Sequence, residues 1–378
     1  MAIKKLYLQN FRNIEEAYLE LGKNFTLVHG DNGSGKSSVL ESLYLLGFGR
    51  SFRSSSLGKL IQFEKDHLSI GASLAAEQGG LDFPVGYRRQ KNGNTDVTIS
   101  RKKAPSVTHI AKIFPVQILT PDTFYQLMTV PKLRRRFFDW GVFHVKHDFV
   151  HEWKGFNRLL SHRSQLLKSQ SQYDKYLSVW DKQFATSAEK VTQQRSEYFA
   201  AFEKRVGDYL QRFGLHQEVT LTFRSGWSDT DKESLLSQLQ ENFETDYRQG
   251  FSGKGPHRFD LILKSNGKLV ADSLSRGQLK LLFYVLMVAQ IIEVSERTQQ
   301  RVTLLIDDFT AELDQSNQEL IVNVLKTLVD YTQLVITMLD DSILSLLNEW
   351  KLVDDKVKVF HVKHGKLTDV TQPIIKER

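Results

Sequence analysis

The run Gly30-Asp31-Asn32-Gly33-Ser34-Gly35-Lys36-Ser37 follows the pattern G-x-x-x-x-G-K-[ST]. Glycines at these places let backbone N–H groups converge on phosphate oxygens, at the positive end of the helix that follows. Lys36 would reach the β- and γ-phosphates of ATP, and the Ser37 hydroxyl would ligate Mg2+. Gly30, Asp31, Asn32, Gly33, Ser34, Gly35 and Ser38 complete the candidate cradle. A second group is the pair Asp307-Asp308, which ends the apolar run from Val302 to Ile306. In phosphate-loop enzymes a carboxylate at such a strand end holds Mg2+, which suits Asp307, while Asp308 would face an attacking water. The third group is Leu274-Ser275-Arg276-Gly277-Gln278. Gly277 permits close backbone approach, Ser275 offers a hydroxyl, and the helix start offers N–H donors to an anion. Alone, this string reads more readily as a capped helix start with Ser275 as N-cap.

Elements that could position these groups are visible in the periodicity. Leu6, Leu8 and Phe11 alternate as in a strand, and Phe25 to Val28 forms an apolar strand running into Gly30. Val39, Leu40, Leu43 and Leu46 recur at helical spacing until Gly47 and Gly49, which are expected to stop the helix. Leu68 to Ala72 and Val97 to Ile99 suggest a small antiparallel sheet, with turns at Gly79-Gly80 and Asn92-Gly93-Asn94. From Trp180 to Phe213 apolar residues keep helical steps, predicting a long amphipathic helix. A partner helix carrying Trp153, Phe156, Leu160 and Leu167 would cover it. After the breaker cluster 251–256, strands and helices alternate again, with helices over 278–292 and 320–328 and strands at 261–263, 302–306 and 334–336. The expected fold is α/β, with a nucleotide-binding head in parts 1–120 and 253–378, split by a helical arm over 121–252.

Composition narrows the partners. The 378-residue chain carries a formal charge of +7, which points to an acidic partner such as nucleic acid or a membrane surface. Nine lysines and arginines against four acids fall between 121 and 170, and Lys132, Arg134, Arg135 and Arg136 form the densest cluster. That cluster reads as a DNA-binding face, as a solvated helix face, or as arginines pairing internally with Asp139. The nearby His144, His147, His151 and His162 lack the carboxylate company of a metal site. With no cysteine, disulfides, cysteine metal sites and thiol nucleophiles are excluded. No signal peptide is read at the N-terminus, and the apolar run Leu281 to Ile292 is broken by Gln290. The chain reads as soluble and cytoplasmic, with no membrane partner.

Taken in order, the three groups resemble the RecF family, bacterial recombination and repair ATPases related to the SMC proteins. The likeness extends to Asn10-Phe11-Arg12-Asn13-Ile14, Gly49-Arg50-Ser51-Phe52-Arg53, the stretch Pro131 to Asp139, Gly255-Pro256-His257-Arg258 and Ile306 to Asp314. It implies an ABC-type ATPase head, ATP and Mg2+ as cofactors, and an ATP-dependent homodimer that binds double-stranded DNA near single-strand/double-strand junctions. It further implies action in DNA damage repair and replication with RecR and RecO, to help RecA load at gaps, within the SOS response. In such a dimer the Ser275, Arg276, Gly277 and Gln278 loop of one subunit caps nucleotide held by Lys36 of the other. Arg12 and Asn32 lie beside the phosphates, Gln117 corresponds to the loop sensing Mg2+ and water, and Asp314 belongs to the dimer seam. Where the wider superfamily carries a longer Glu, Asp308 implies slow, DNA-stimulated hydrolysis. Thr337-Met338-Leu339-Asp340-Asp341 offers no histidine as γ-phosphate switch. A transporter ATPase subunit would bring its covering loop much sooner after the phosphate loop, and a non-hydrolysing DNA binder would demote Asp308.

Overall fold

The computed structural model describes residues 2–75, 82–121, 123–169, 175–215, 219–228, 234–309, 323–340 and 357–371. The turn expected at Gly79-Gly80, the seam residue Asp314, residues 320–322 of the expected helix and Asp341 lie outside them. The chain forms two units, Met1–Phe124 with Val294–Arg378, and Tyr125–Glu293.

The first unit holds two six-stranded sheets. One is antiparallel, in the order β2-β1-β4-β5-β6-β7. Its strands are β1 (Ile3–Phe11), β2 (Ile14–Glu20), β4 (His67–Leu74), β5 (Phe83–Gln90), β6 (Thr95–Ile99) and β7 (Lys102–Lys103). The alternation in β4 is complete, with Leu68, Ile70, Ala72 and Leu74 buried and their neighbours half-exposed, as expected for a sheet covered on one face. Asn92-Gly93-Asn94 makes the β5–β6 turn, where Asn94 N donates to Asn92 Oδ1.

The other sheet has the order β15-β14-β3-β13-β12-β8. Its strands are β3 (Phe25–His29), β8 (Val116–Leu119), β12 (Val302–Ile306), β13 (Thr332–Met338), β14 (Val357–Lys363) and β15 (Lys366–Asp369). All pairs are parallel except β14–β15. β8, β12 and β13 are buried along their whole length, which accounts for the apolar stretches Ile118-Leu119, Leu304 to Ile306 and Leu334 to Ile336 within them. Helix α1 (Lys36–Phe48) follows β3 and supplies Val39, Leu40, Leu43 and Leu46 to the core between the sheets. It ends on Gly49 at φ +68°, where Gly49 N donates to Leu45 O. Gly47 does not stop it, contrary to expectation. A Cβ there would stand 2.6 Å from Val116, so this glycine serves close packing of helix on strand. Short α2 (Thr108–Ile113) completes this part, and α3 (Thr123–Thr129) leads out of it.

The second unit is mainly helical. It contains α4 (Pro131–Val145), α5 (Phe149–Ser169), α6 (Lys175–Arg212), α7 (Leu235–Glu241), α8 (Phe243–Gln249), α9 (Val270–Ser273) and most of α10 (Arg276–Thr298). At 38 residues, α6 is the expected long helix, about 57 Å at 1.5 Å per residue, and α5 is its partner. A three-stranded sheet of β9 (Val219–Arg224), β10 (Asp260–Ser265) and β11 (Lys268–Leu269) carries this unit past the breaker cluster where the sequence suggests a boundary. Leu261 pairs with Phe223 and Leu263 with Leu221, so 253–293 belong with the arm. Arg195 holds the centre of the unit. Its guanidinium grips both Asp139 oxygens at 2.8 Å, donates to Pro256 O at 2.7 Å, and lies over Trp153 and Phe259. α10 is long and apolar enough to cross a membrane, but most of it is buried, and Gln290 within it donates to Phe137 O.

Two buried histidines make this unit acid-sensitive. Burial against Trp140 and Phe143 pushes His144 down to about 3, and burial pushes His257 down to about 4, from 6.5. The unfolded chain therefore takes up protons first as pH falls, so stability present above pH 6.5 is lost progressively toward pH 4. Each histidine should cost about 1.4 kcal/mol between roughly pH 7.5 and 5.5. Urea unfolding across that range should show the loss, and His144→Gln or His257→Gln should flatten it. An unchanged slope in both variants would assign the acid sensitivity elsewhere.

Candidate functional site

The phosphate-loop string runs from the end of β3 to the start of α1, so its N–H groups open onto a helix N-terminus. Gly30 sits at φ +146° beneath Val362 O, and a Cβ there would strike that carbonyl. Gly35 sits at φ +122° with the Asn13 side chain 3.0 Å from the Cβ position. Both positions therefore require glycine. The loop is framed by two hairpins. From β1–β2, Asn13 Nδ2 donates to Ser34 O at 3.0 Å while Asn13 Oδ1 accepts from Ser38 Oγ. From β14–β15, Gly365 N donates to Ser34 O at 2.8 Å.

Register brings the remaining groups to the same sheet edge. Thr337 of β13 pairs with Val28 of β3, and Ile306 of β12 pairs with Ile336. Asp307 Oδ1 accepts from Ser37 Oγ at 2.9 Å and from Thr337 Oγ1 at 2.8 Å. The same Thr337 hydroxyl accepts from Asp308 N at 2.9 Å, and Thr337 O accepts from Phe309 N. Asp308 is held in the left-handed region at φ +54°, a conformation that a non-glycine residue keeps only when its surroundings impose it. Lys36 Nζ donates to Gly30 O at 2.6 Å and Asp31 O at 2.9 Å. Burial lowers its pKa, against the opposing pull of Asp308, Asp307 and Asp31. Lys36, Ser37, Asp307, Asp308 and Thr337 line one cavity of about 990 Å³, together with Arg12, Asn32, Gly33, Gly35 and Ser38.

The donor set fits a magnesium nucleotide. Ser34 Oγ and Asp308 Oδ1 are buried with no hydrogen-bond partner among the described residues, and such orphans mark places built for another group. Arg12 reaches the cavity, but its Nε and Nη2 both grip Glu41, a fully buried carboxylate of α1. Gln117 does not reach it. It lies inside β8 opposite Leu304, and the β8 carbonyl that meets Asp307 N belongs to Leu119. The resemblance implies a sensing loop at Gln117, whereas the pairing puts this residue inside the strand, two residues before its end.

Ser275 and Gln278 form a reciprocal cap, Ser275 N to Gln278 Oε1 at 2.9 Å and Gln278 N to Ser275 Oγ at 3.3 Å. Ser275 and Arg276 remain exposed, and Gly277 half-exposed. The basic run divides. Arg134, 9% exposed, gives both arms to Asp260 at 2.7 and 2.9 Å, and Arg135 donates to Phe259 O. Neither pairs with Asp139, whose partner is Arg195, and a buried, paired Arg134 is not a DNA contact. Lys132 and Arg136 are exposed. Among the described residues no group of histidines and acids could hold a metal ion, and His162 packs on Trp180.

The profile of the family described as the RecF/RecN/SMC N terminal domain matches residues 2–368. The DNA replication and repair protein RecF of Shewanella loihica is 37% identical over 371 residues, covering 97% of this chain and 99% of the relative. The chain belongs to the RecF family. The RecF of Vibrio parahaemolyticus is similarly close, 38% identical over 369 residues, with 97% and 99% covered. A solved structure of the recombination mediator protein RecF with ATP superposes at a TM-score of 0.84, with 23% identity, 98% of this chain and 97% of that one covered. An Smc head bound to the C-winged helix domain of ScpA superposes at 0.57, with 16% identity and 98% of each chain covered. RecF membership and the shared fold establish an ABC-type ATPase head.

In this RecF-family site residue type and spacing give no sign of the roles of Thr337, Glu41 and Asn13. Thr337→Val removes the hydroxyl that links Asp307 to the Asp308 backbone. ATP turnover should fall about 10- to 100-fold with ATP affinity changed much less, and Thr337→Ser should restore it. Equal turnover in Thr337→Val and the parent would remove the hydroxyl from the mechanism.

Proposed function

We propose that this chain is an ATP-gated, DNA-binding homodimer of recombinational repair and replication-fork maintenance, with slow hydrolysis at sites shared between two subunits. The observation that carries the reading is the convergence of Lys36, Ser37, Asp307 and Asp308 on one cavity in a RecF-family chain. Bound Mg-ATP would supply the cation charge and the γ-phosphoryl group that passes to water, with ADP as the leaving group. Lys36 would exchange its loop carbonyls for phosphate oxygens, Ser37 and Asp307 would hold Mg2+, and Asp308 would orient a water and accept its proton at Oδ1. The exposed Ser275–Gln278 turn suits a covering loop for a second subunit's nucleotide, whose phosphates would take over the Ser275 hydroxyl and the N–H groups now engaged in the cap. The solved RecF relatives are described as recombination mediators of the RecFOR pathway, which supports RecR and RecO as partners; RecA loading downstream and a cytoplasmic place of action are further parts of the proposal.

Static light scattering with ATP, ADP or neither, with and without gapped DNA, tests this directly. ATP should double the mass and ADP should not. Asp308→Asn should still double it and fail to revert, because binding survives while hydrolysis stops. A mass that never doubles with ATP would sink the clamp.

DNA contact has support on the first unit as well. Arg88, Lys91, Arg101, Lys102 and Lys103 are exposed along β5–β7, with Asp96 the acid among them. A face of this kind neutralises phosphates without reading sequence. Arg101→Glu with Lys102→Glu should weaken DNA binding and flatten its salt dependence, more than Lys132→Glu does. Unaltered salt slopes would assign DNA to another surface.

A further inference from the structure

Phe63 is 87% exposed, the highest value among the large hydrophobic side chains found exposed in the described residues. Its exposure does not come from a fraying segment. The stretch leading to it is fastened to the end of β1, with Arg12 N to Leu60 O at 2.8 Å, a bridge between Phe11 and Ile61, and Gln62 N to Asn10 O at 2.9 Å. Leu60 is fully buried beneath it. Phe63 then stands on a tight turn closed by Lys65 N to Gln62 O, with Glu64 at φ +63°. The fold thus holds an aromatic ring in water, forgoing the roughly 1.5–3 kcal/mol that burial of such a side chain gives.

The ring belongs to the cavity of the phosphate loop. Lys36, Ser37, Asp307, Asp308 and Thr337 line that cavity, and its only apolar side chains larger than glycine among the described residues are Ile61 and Phe63. The cavity therefore combines polar groups suited to phosphate and cation with two apolar side chains, Ile61 and Phe63, carried on one hydrogen-bonded stretch. A phosphate ligand with one flat, apolar-faced end matches that combination. Inorganic phosphates engage only the polar groups and leave the ring in water.

We propose that Phe63, with Ile61 beside it, is the seat of the nucleobase, stacking on the base of a nucleotide whose phosphates the Lys36 loop holds. The inference rests on the nucleotide-binding reading above and adds the residue that recognises the end of the ligand far from the chemistry. Stacking of a base on an aromatic side chain is worth about 1–3 kcal/mol by alanine substitution, and about tenfold in affinity accompanies each 1.4 kcal/mol.

The test is calorimetric titration of the full chain with ATP and, separately, with inorganic tripolyphosphate, both with Mg2+. Phe63→Ala should weaken ATP about tenfold or more and leave tripolyphosphate affinity where it was, and Phe63→Tyr should restore ATP binding. Equal ATP affinity in Phe63→Ala and the parent overturns the seat. So does a Phe63→Ala variant that keeps ATP affinity but loses ATP-driven mass doubling, which would assign the ring to a protein contact. Equal losses for ATP and tripolyphosphate also overturn it, since they would mean a damaged loop. A parent chain that binds neither ligand brings down the nucleotide reading itself, and the seat with it.

Discussion

The parallel register of β3, β13 and β12 decides where every reactive group of this chain stands. Because Val28 faces Thr337 across one pair and Ile306 faces Ile336 across the next, the phosphate loop, the threonine hydroxyl and the two aspartates emerge at one level of one edge. The hydrogen bonds from Ser37 and Thr337 to a single oxygen of Asp307 are possible only in that register. A shift of one residue would turn Thr337 to the opposite face and leave Asp308 N–H without its acceptor. The buried, apolar strands are thus the means by which a hydroxyl and a carboxylate are held within hydrogen-bonding distance.

Legibility in the sequence followed how local each signal was. The strand-loop-helix around Lys36 could be read because its pattern lies within a few consecutive residues, and Asp307-Asp308 because a strand visibly ends there. The α5–α6 hairpin was legible from helical spacing alone. Thr337 was not, since one threonine in an apolar run has no spacing signature and acquires a role only through the register with β3 and β12. Asn13 acts on backbone carbonyls of Gly33 and Ser34, which no residue-type pattern reveals. Gln117 illustrates the reverse: its type suggested a sensor, but its level in the sheet is set by pairing with Leu304.

Charge was the least transferable signal. The run Lys132 to Arg136 is dense in sequence, yet Arg134 finds Asp260 at a separation of 126 residues and Arg195 takes the Asp139 that lies beside the run. In the buried core of this unit, arginine is a structural residue, with its planar fork matched to a carboxylate and its faces to aromatic rings. The positive charge that meets solvent lies in part along β5–β7, where it is thinly spread through the sequence and gathered by hairpin geometry.

One feature of the second sheet reaches beyond the finished molecule. β3, which carries the phosphate loop, has as its neighbours β13 and β14, both roughly 300 or more residues further along the chain. While the chain is being synthesised, the loop is made long before the strands that flank it. Contacts so distant in sequence are slow to form, because a long loop must close before they repay its entropy. The growing polypeptide therefore carries its nucleotide motif without the flanking strands until roughly 300 further residues have been made, and ATP can meet a working pocket only after that.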